Sequence, residues 1–156
     1  MLVRGAGVGD AETLAALNRF VHDTHLQRRP DYFRPGRPEA VSAWFRDQLD
    51  HLSTAAWIAQ EGDFSVGYLL MFVHERGENP FRHARRWCEI DQIAVDPVWR
   101  RRGIGTALMT AALEEASARG VRDVELSSWA FNSDAHAMVR RFGFEPRVVT
   151  FERRGP

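Results

Sequence analysis

The amino-acid sequence predicts an α/β fold: one mixed, mostly antiparallel sheet flanked by about four helices. Leu14, Leu17 and Val21 recur at the spacing of an amphipathic helix. Two strand-like runs, Thr54–Gln60 and Phe64–His74, are separated only by the turn sequence Glu61-Gly62-Asp63, which makes them a hairpin. A long helical pattern, Gly103–Arg119, stands between two further strands and supplies a crossover.

The elements follow in order. Leu2–Arg4 is a short apolar strand, broken by Gly5, Gly7 and Gly9, and Asp10 stands where it would cap a helix running to about His25. Pro30, Pro35, Gly36 and Pro38 then interrupt the chain, with Tyr32 and Phe33 between them. Pro38 suits the first turn of a second helix carrying Val41, Trp44, Phe45 and Leu49. After the hairpin, polar Arg76–Arg86 reads as a loop and Trp87–Val95 as a strand that Asp96-Pro97 ends. Gly120 stops the crossover helix, and Val121–Ser127 is the next strand. Asn132 or Ser133 caps a helix over Asp134–Phe142 that ends at Gly143, and Arg147–Glu152 is expected as a last strand.

At 156 residues and 44% hydrophobic composition, the expectation is one globular domain over residues 1–156, with no internal repeat and no dividing linker. The longest apolar runs, such as Val66–Val73, are too short to span a bilayer, and Met1–Gly9 lacks the pattern of a signal peptide; a cytoplasmic, membrane-free protein is expected. The single Cys88 cannot form an internal disulfide. Net charge is zero and all 21 basic residues are arginine, so nothing global steers the chain towards nucleic acid. Arg100–Arg102 also lack the aromatic platforms of a nucleic-acid site. The six histidines and one cysteine show no metal-ligand spacing, so no metal site is expected.

The informative segment is Ala94-Val95-Asp96-Pro97-Val98-Trp99-Arg100-Arg101-Arg102-Gly103-Ile104-Gly105-Thr106. A helix start leaves backbone N–H groups without partners at the positive end of the helix dipole, and Gly103 and Gly105 let a ligand approach the backbone without meeting a Cβ. Arg100, Arg101 and Arg102 add positive charge, and Thr106 adds a hydroxyl in the first turn. The pattern is neither a dinucleotide fingerprint nor a Walker loop.

Arg100-x-x-Gly103-x-Gly105 resembles the Arg/Gln-x-x-Gly-x-Gly/Ala signature of the GNAT acetyltransferases. Asn132-x-x-Ala135 followed by Gly143-Phe144 is similar to that family's C-terminal helix and the strand after it, and the element order agrees from Leu2 to Glu152. The resemblance implies acetyl-CoA as donor, transferred directly to the primary amine of a small molecule. It implies a splayed central strand on which Ile93, Ala94 and Val95 meet the pantetheine arm, and a residue-103-to-106 loop around the pyrophosphate that includes Ile104. A backbone N–H near Ile93 would polarise the thioester carbonyl. Asn132 resembles the family residue that touches the pantetheine from the opposite side, a role compatible with its being an ordinary helix cap. A homodimer is the assembly the resemblance suggests.

Amine attack needs a base. Glu89 is the first candidate, four residues before Ile93 as in some members of the family, and Asp91 is its close competitor; alternation puts Glu89, Asp91 and Ile93 on one face. Many members carry a tyrosine acid four residues before Gly-Phe, where this chain has Val139, which donates nothing. His136, Tyr68 and Cys88 are weaker substitutes. For the acceptor pocket, His25 and Tyr32 are expected, in a region that also holds His22, Asp31 and Phe33. Two rival readings stay open: a peptide N-terminal acetyltransferase and a silent acyl-CoA-binding module.

Overall fold

The computed structural model describes residues Met1–Pro156 throughout, and the chain divides into two compact units, Met1–Leu126 and Ser127–Pro156. The first unit is built on five strands: β1 (Leu2–Gly5), β2 (Thr54–Glu61), β3 (Phe64–Arg76), β4 (Arg85–Val95) and β5 (Asp123–Leu126). They lie side by side in chain order. β1 to β4 are antiparallel, and β5 joins β4 in parallel. Short connections join β2 to β3 and β3 to β4, whereas the parallel pair needs a crossover, supplied by α3 (Ile104–Ala118).

Two helices, α1 (Ala11–Arg28) and α2 (Pro38–Leu49), precede the hairpin. Leu14, Leu17 and Phe45 from these helices bury against Ala56, Ile58, Tyr68, Leu70 and Ala94 of the sheet. Period-two alternation sends Leu69 and Met71 the other way, where α3 contributes Ile104, Leu108, Met109, Ala112 and Ala116, all buried. Gly67 is what lets α3 lie so close. A Cβ there would stand 2.9 Å from the Ala94 carbonyl oxygen, 3.2 Å from Ile104 Cγ2 and 3.3 Å from Leu108 Cδ1.

The expected elements occur with small shifts at their ends, and two readings need correction. Asp10 does sit at the N-terminal flank of α1, yet its side chain caps no helix bond there. It is drawn instead to Arg4, at 2.8 Å, and accepts from the Gly7 N–H at 2.9 Å. The ion pair holds its carboxyl below the usual carboxylate range, the hydrogen bond from Arg4 being the largest cause. The second correction is Arg147–Glu152, which forms no strand. Its apolar side chains have β propensity, but a strand exists only where a neighbour takes its backbone hydrogen bonds, and β5 has a single neighbour, β4.

In the second unit α4 spans Ser133–Arg141, capped by Asn132, whose Oδ1 accepts from Ala135 N–H at 3.3 Å. Gly143 closes it in the left-handed region, φ 83°. No residue of α4 is buried.

Candidate active site

The first element of the site is a gap in the sheet. β4 and β5 pair from Trp87↔Asp123 to Ile90↔Leu126, and β4 then continues as Asp91–Val95 beyond the ladder. On its other side β4 stays paired with β3 as far as Gly67↔Val95. Alternate N–H and C=O groups of Ile93, Ala94 and Val95 therefore face away from β3 with no strand opposite them, the splayed edge expected from the sequence. The closed end of the ladder is clasped by Arg85, which reaches Glu125 at 2.9 Å and Asp123 at 3.6 Å. Its guanidinium lies 4.7 Å from the centre of the Trp87 ring.

A β-bulge marks the point where the edge opens. Leu70 pairs with Gln92 and Met71 with Ile90, which leaves Asp91 as the extra residue. The expectation that Glu89, Asp91 and Ile93 share a face by simple alternation is thereby corrected. Glu89 opposes Phe72 and Gln92 opposes Leu70, both on the α1 side, while Ile93 opposes Leu69 on the α3 side. The bulge turns Asp91 towards Glu89 and Gln92: Gln92 Nε2 donates to Asp91 Oδ2 at 3.1 Å. Glu89 Oε1 meets His74 Nε2 at 3.1 Å, and the His74 ring rests 5.1 Å from that of Trp87.

The proton affinity of Asp91 is raised although its side chain reaches solvent. Loss of hydration among its packed neighbours is the main cause, the negative charge of Glu89 adds to it, and the Gln92 hydrogen bond and His74 oppose it. A carboxylate with raised proton affinity is a better base, and this one stands at the start of an open strand edge.

At the far end of that edge the chain turns into α3. Asp96 Oδ1 accepts from Val98 N–H at 3.0 Å and fixes a single 3₁₀ turn over Pro97–Trp99. Arg101, at φ 62°, and Gly103, at φ 79°, both take left-handed conformations, which only the glycine adopts without strain. The helical ladder opens with Ala107 N–H donating to Gly103 O at 3.0 Å. The N–H groups of Ile104, Gly105 and Thr106 precede it and have no intrahelical acceptor. Ile104 is buried, so its side chain anchors the loop and only its backbone faces a ligand. Arg100 turns back to the Val95 carbonyl at 3.4 Å, and Arg102 lies 4.8 Å from the Trp99 ring centre. Arg100, Arg101, Arg102 and Thr106 are exposed. An anion at this helix start would find N–H donors, the dipole and guanidinium groups together.

The residues expected for the acceptor collect at the end of α1. His25 stacks on Phe33 at 5.1 Å, Tyr32 meets Phe33 edge-on at 5.0 Å, and His22 Nε2 lies 2.7 Å from the Arg34 carbonyl. Phe33 is half-buried at the centre of this cluster, while Tyr32 is 66% exposed. Burial, and then the neighbouring His22, lower the pKa of His25 and favour its neutral form. Asn132 is the cap of α4, and His136 lies on the same helix with Nε2 3.1 Å from the Trp129 carbonyl. Cys88 is buried, and burial raises the pKa of its thiol and disfavours the thiolate.

The sequence reading passed over His74, Asn18 and Gln92. The signal for the bulge was present: a polar doublet, Asp91-Gln92, between two isoleucines three apart, a spacing no regular strand puts on one face.

The chain that carries this splayed strand and glycine-bounded helix start belongs to the acetyltransferase (GNAT) family, whose model matches residues 19–144. An uncharacterized N-acetyltransferase of Methanocaldococcus jannaschii is 48% identical over 65 residues, which cover 42% of this chain and 29% of that protein. A mycothiol acetyltransferase of Saccharomonospora viridis is 30% identical over 136 residues, 87% of this chain and 42% of its own length. The chain thus spans less than half the length of these curated relatives. Among solved structures, a mutant of the BH1408 protein of Bacillus halodurans superposes with a TM-score of 0.93 at 25% identity over 100% of both chains. An aminoglycoside N-acetyltransferase in complex with CoA shares the fold with a TM-score of 0.74 at 18% identity, over 99% of this chain and 95% of that one. No helix of the chain is long and apolar enough to cross a membrane.

Proposed function

We propose that the protein is an acetyl-CoA-dependent N-acetyltransferase that acetylates the primary amine of a small molecule. The observation that carries this reading is the open edge of β4, with Asp91 at one end and the N–H-rich start of α3 at the other. Acetyl-CoA supplies an activated thioester. Ile93, Ala94 and Val95 offer the backbone groups for its pantetheine arm, and Ile104, Gly105 and Thr106, with Arg100, Arg101 and Arg102, hold its pyrophosphate. Asp91 takes the proton of the attacking amine, and a β4 backbone N–H near Ile93 donates to the acetyl oxygen as negative charge develops there. The N–C bond forms as the C–S bond breaks, and the leaving thiolate departs without a tyrosine acid, since Val139 donates nothing.

The names of two relatives favour a small acceptor: one is a mycothiol acetyltransferase, and one structural neighbour is an aminoglycoside acetyltransferase in complex with sisomicin. The Glu89–Asp91 pair suits a cationic amine, and His25 and Tyr32 are the proposed side chains on the acceptor side. The buried free thiol of Cys88 suits a reducing cytoplasm. A homodimer completes the proposal: Val148, Val149 and Phe151 are 74%, 66% and 92% exposed, the apolar surface a second copy would cover. Sedimentation at micromolar protein tests it, and a strict monomer contradicts it.

The catalytic reading is tested by thiol release over an amine and peptide panel. Asp91→Asn lowers turnover by about 10²–10⁴-fold. Glu89→Gln moves the acid limb of the rate profile to lower pH, because the removed charge is one that raises the proton affinity of Asp91. Unchanged turnover in Asp91→Asn contradicts the assignment of the base.

A further inference from the structure

A polar chain runs from the interior of the sheet to Asp91. Tyr68 is fully buried, and burial raises its pKa, so its phenol stays protonated. Its O–H donates to Gln92 Oε1 at 2.6 Å. Asn18, reaching down from α1, spends Nδ2 on the same two atoms, donating to Tyr68 Oη at 3.0 Å and to Gln92 Oε1 at 3.2 Å. Gln92 Nε2 then donates to Asp91 Oδ2 at 3.1 Å.

The polarity of this chain is fixed from both ends. An ionised carboxylate only accepts, so the Gln92 atom facing Asp91 must be the amide nitrogen. The opposite Gln92 atom, an acceptor, then meets the phenol O–H and the Asn18 amide, which are donors. Either amide turned over would set like against like and leave these polar groups without the hydrogen bonds they now make.

We propose that Gln92 is a positioning residue for the reaction: Tyr68 and Asn18 lock its amide, and the locked amide holds the Asp91 carboxylate at the β4 bulge. The inference rests on Asp91 being the base. It also explains why a buried tyrosine, an α1 asparagine and a strand glutamine converge on a position that apolar packing would otherwise fill. The ionisable groups acting on Asp91 are Glu89 on β4 and His74 on β3, with the neutral phenol of Tyr68 beneath. Gln92→Leu leaves all three in place. A hydrogen bond donated to an ionised carboxylate favours that form, so its loss raises the proton affinity of Asp91.

The test is a carboxyl ¹³C NMR titration of the full chain with labelled aspartate, the Asp91 signal being the one missing from Asp91→Asn. In Gln92→Leu the Asp91 midpoint moves to higher pH. In Tyr68→Phe, which frees the Gln92 amide to turn, it moves the same way by less. The acid limb of turnover follows each midpoint, while the KM for acetyl-CoA stays constant. Wild-type midpoints in both variants overturn the proposal. Should Gln92→Leu fail to fold, the Tyr68→Phe midpoint decides alone. Should Asp91→Asn retain turnover, the base assignment falls, and the midpoints still decide whether Gln92 holds Asp91.

Discussion

Two loops of the first unit approach their tasks by opposite means. The loop before α3 presents main-chain groups: the Asp96 side chain fixes Val98, Arg101 and Gly103 take left-handed conformations, and buried Ile104 anchors the helix, leaving the backbone N–H groups to face outwards. The loop after α1 is shaped by side chains: His22, His25, Tyr32 and Phe33 hold it through ring contacts, and the Arg29–Asp31 ion pair at 2.8 Å braces it. A main-chain site suits a ligand part that never varies, since N–H groups persist through most substitutions. A side-chain site suits a variable partner, because each substitution changes its shape and charge. The proposed division into a constant donor and a changing acceptor follows from this contrast.

The contrast breaks most severely at Gly67. Gly67→Val drives side-chain carbons into the Ala94 carbonyl and the Ile104 and Leu108 side chains. It is expected to cost about 1–3 kcal/mol in denaturant unfolding and to weaken acetyl-CoA binding by displacing the start of α3. Tyr32→Ala sharpens the other side. It is expected to raise the KM of the amine roughly three- to tenfold, the equivalent of about 0.5–1.5 kcal/mol of aromatic contact, with the KM of acetyl-CoA unchanged. A matching rise in both KM values would erase the division. Smallest is Arg101→Gly, which relieves the left-handed strain and is expected to change stability by less than about 1 kcal/mol, whereas Arg101→Val costs about 1–2 kcal/mol. Thermal melts of the pair make that comparison.

The pH dependence of stability carries a further sign. The pKa of Asp91 is raised on folding, so the folded state holds its proton more tightly than the unfolded chain does. Its contribution favours the fold at low pH and is lost as pH rises from the ordinary carboxylate value through the raised one. At neutral pH Asp91→Asn is therefore expected to melt slightly higher than the wild type while losing turnover, a stability–function trade. A lower melting temperature would mean that the carboxylate braces the bulge rather than strains it.

Features encoded locally were legible in the sequence. The Glu61-Gly62-Asp63 hairpin, Pro38 in the first turn of α2 and the Gly103-to-Gly120 frame of α3 all stand where local chemistry puts them. So does the turn before α3, because the left-handed backbone at Gly103 selects glycine. Features that depend on a distant partner were not. Asp10 reads as a cap until Arg4 competes for it. The alternation of Glu89, Asp91 and Ile93 reads as regular until β3 registers Met71 against Ile90. Arg147–Glu152 reads as a strand, but no sequence pattern supplies the neighbour that a strand needs. Tyr68, a core residue in sequence, becomes informative only once Asn18 and Gln92 meet it.

The central claim is that the open edge of β4 and the start of α3 together bind acetyl-CoA. Thermal unfolding with and without millimolar acetyl-CoA tests it most directly, with Gly105→Trp beside the wild type. The account predicts a clear rise in melting temperature for the wild type and none for Gly105→Trp, whose indole blocks the first turn of α3. No rise in the wild type, or an equal rise in both proteins, would contradict it.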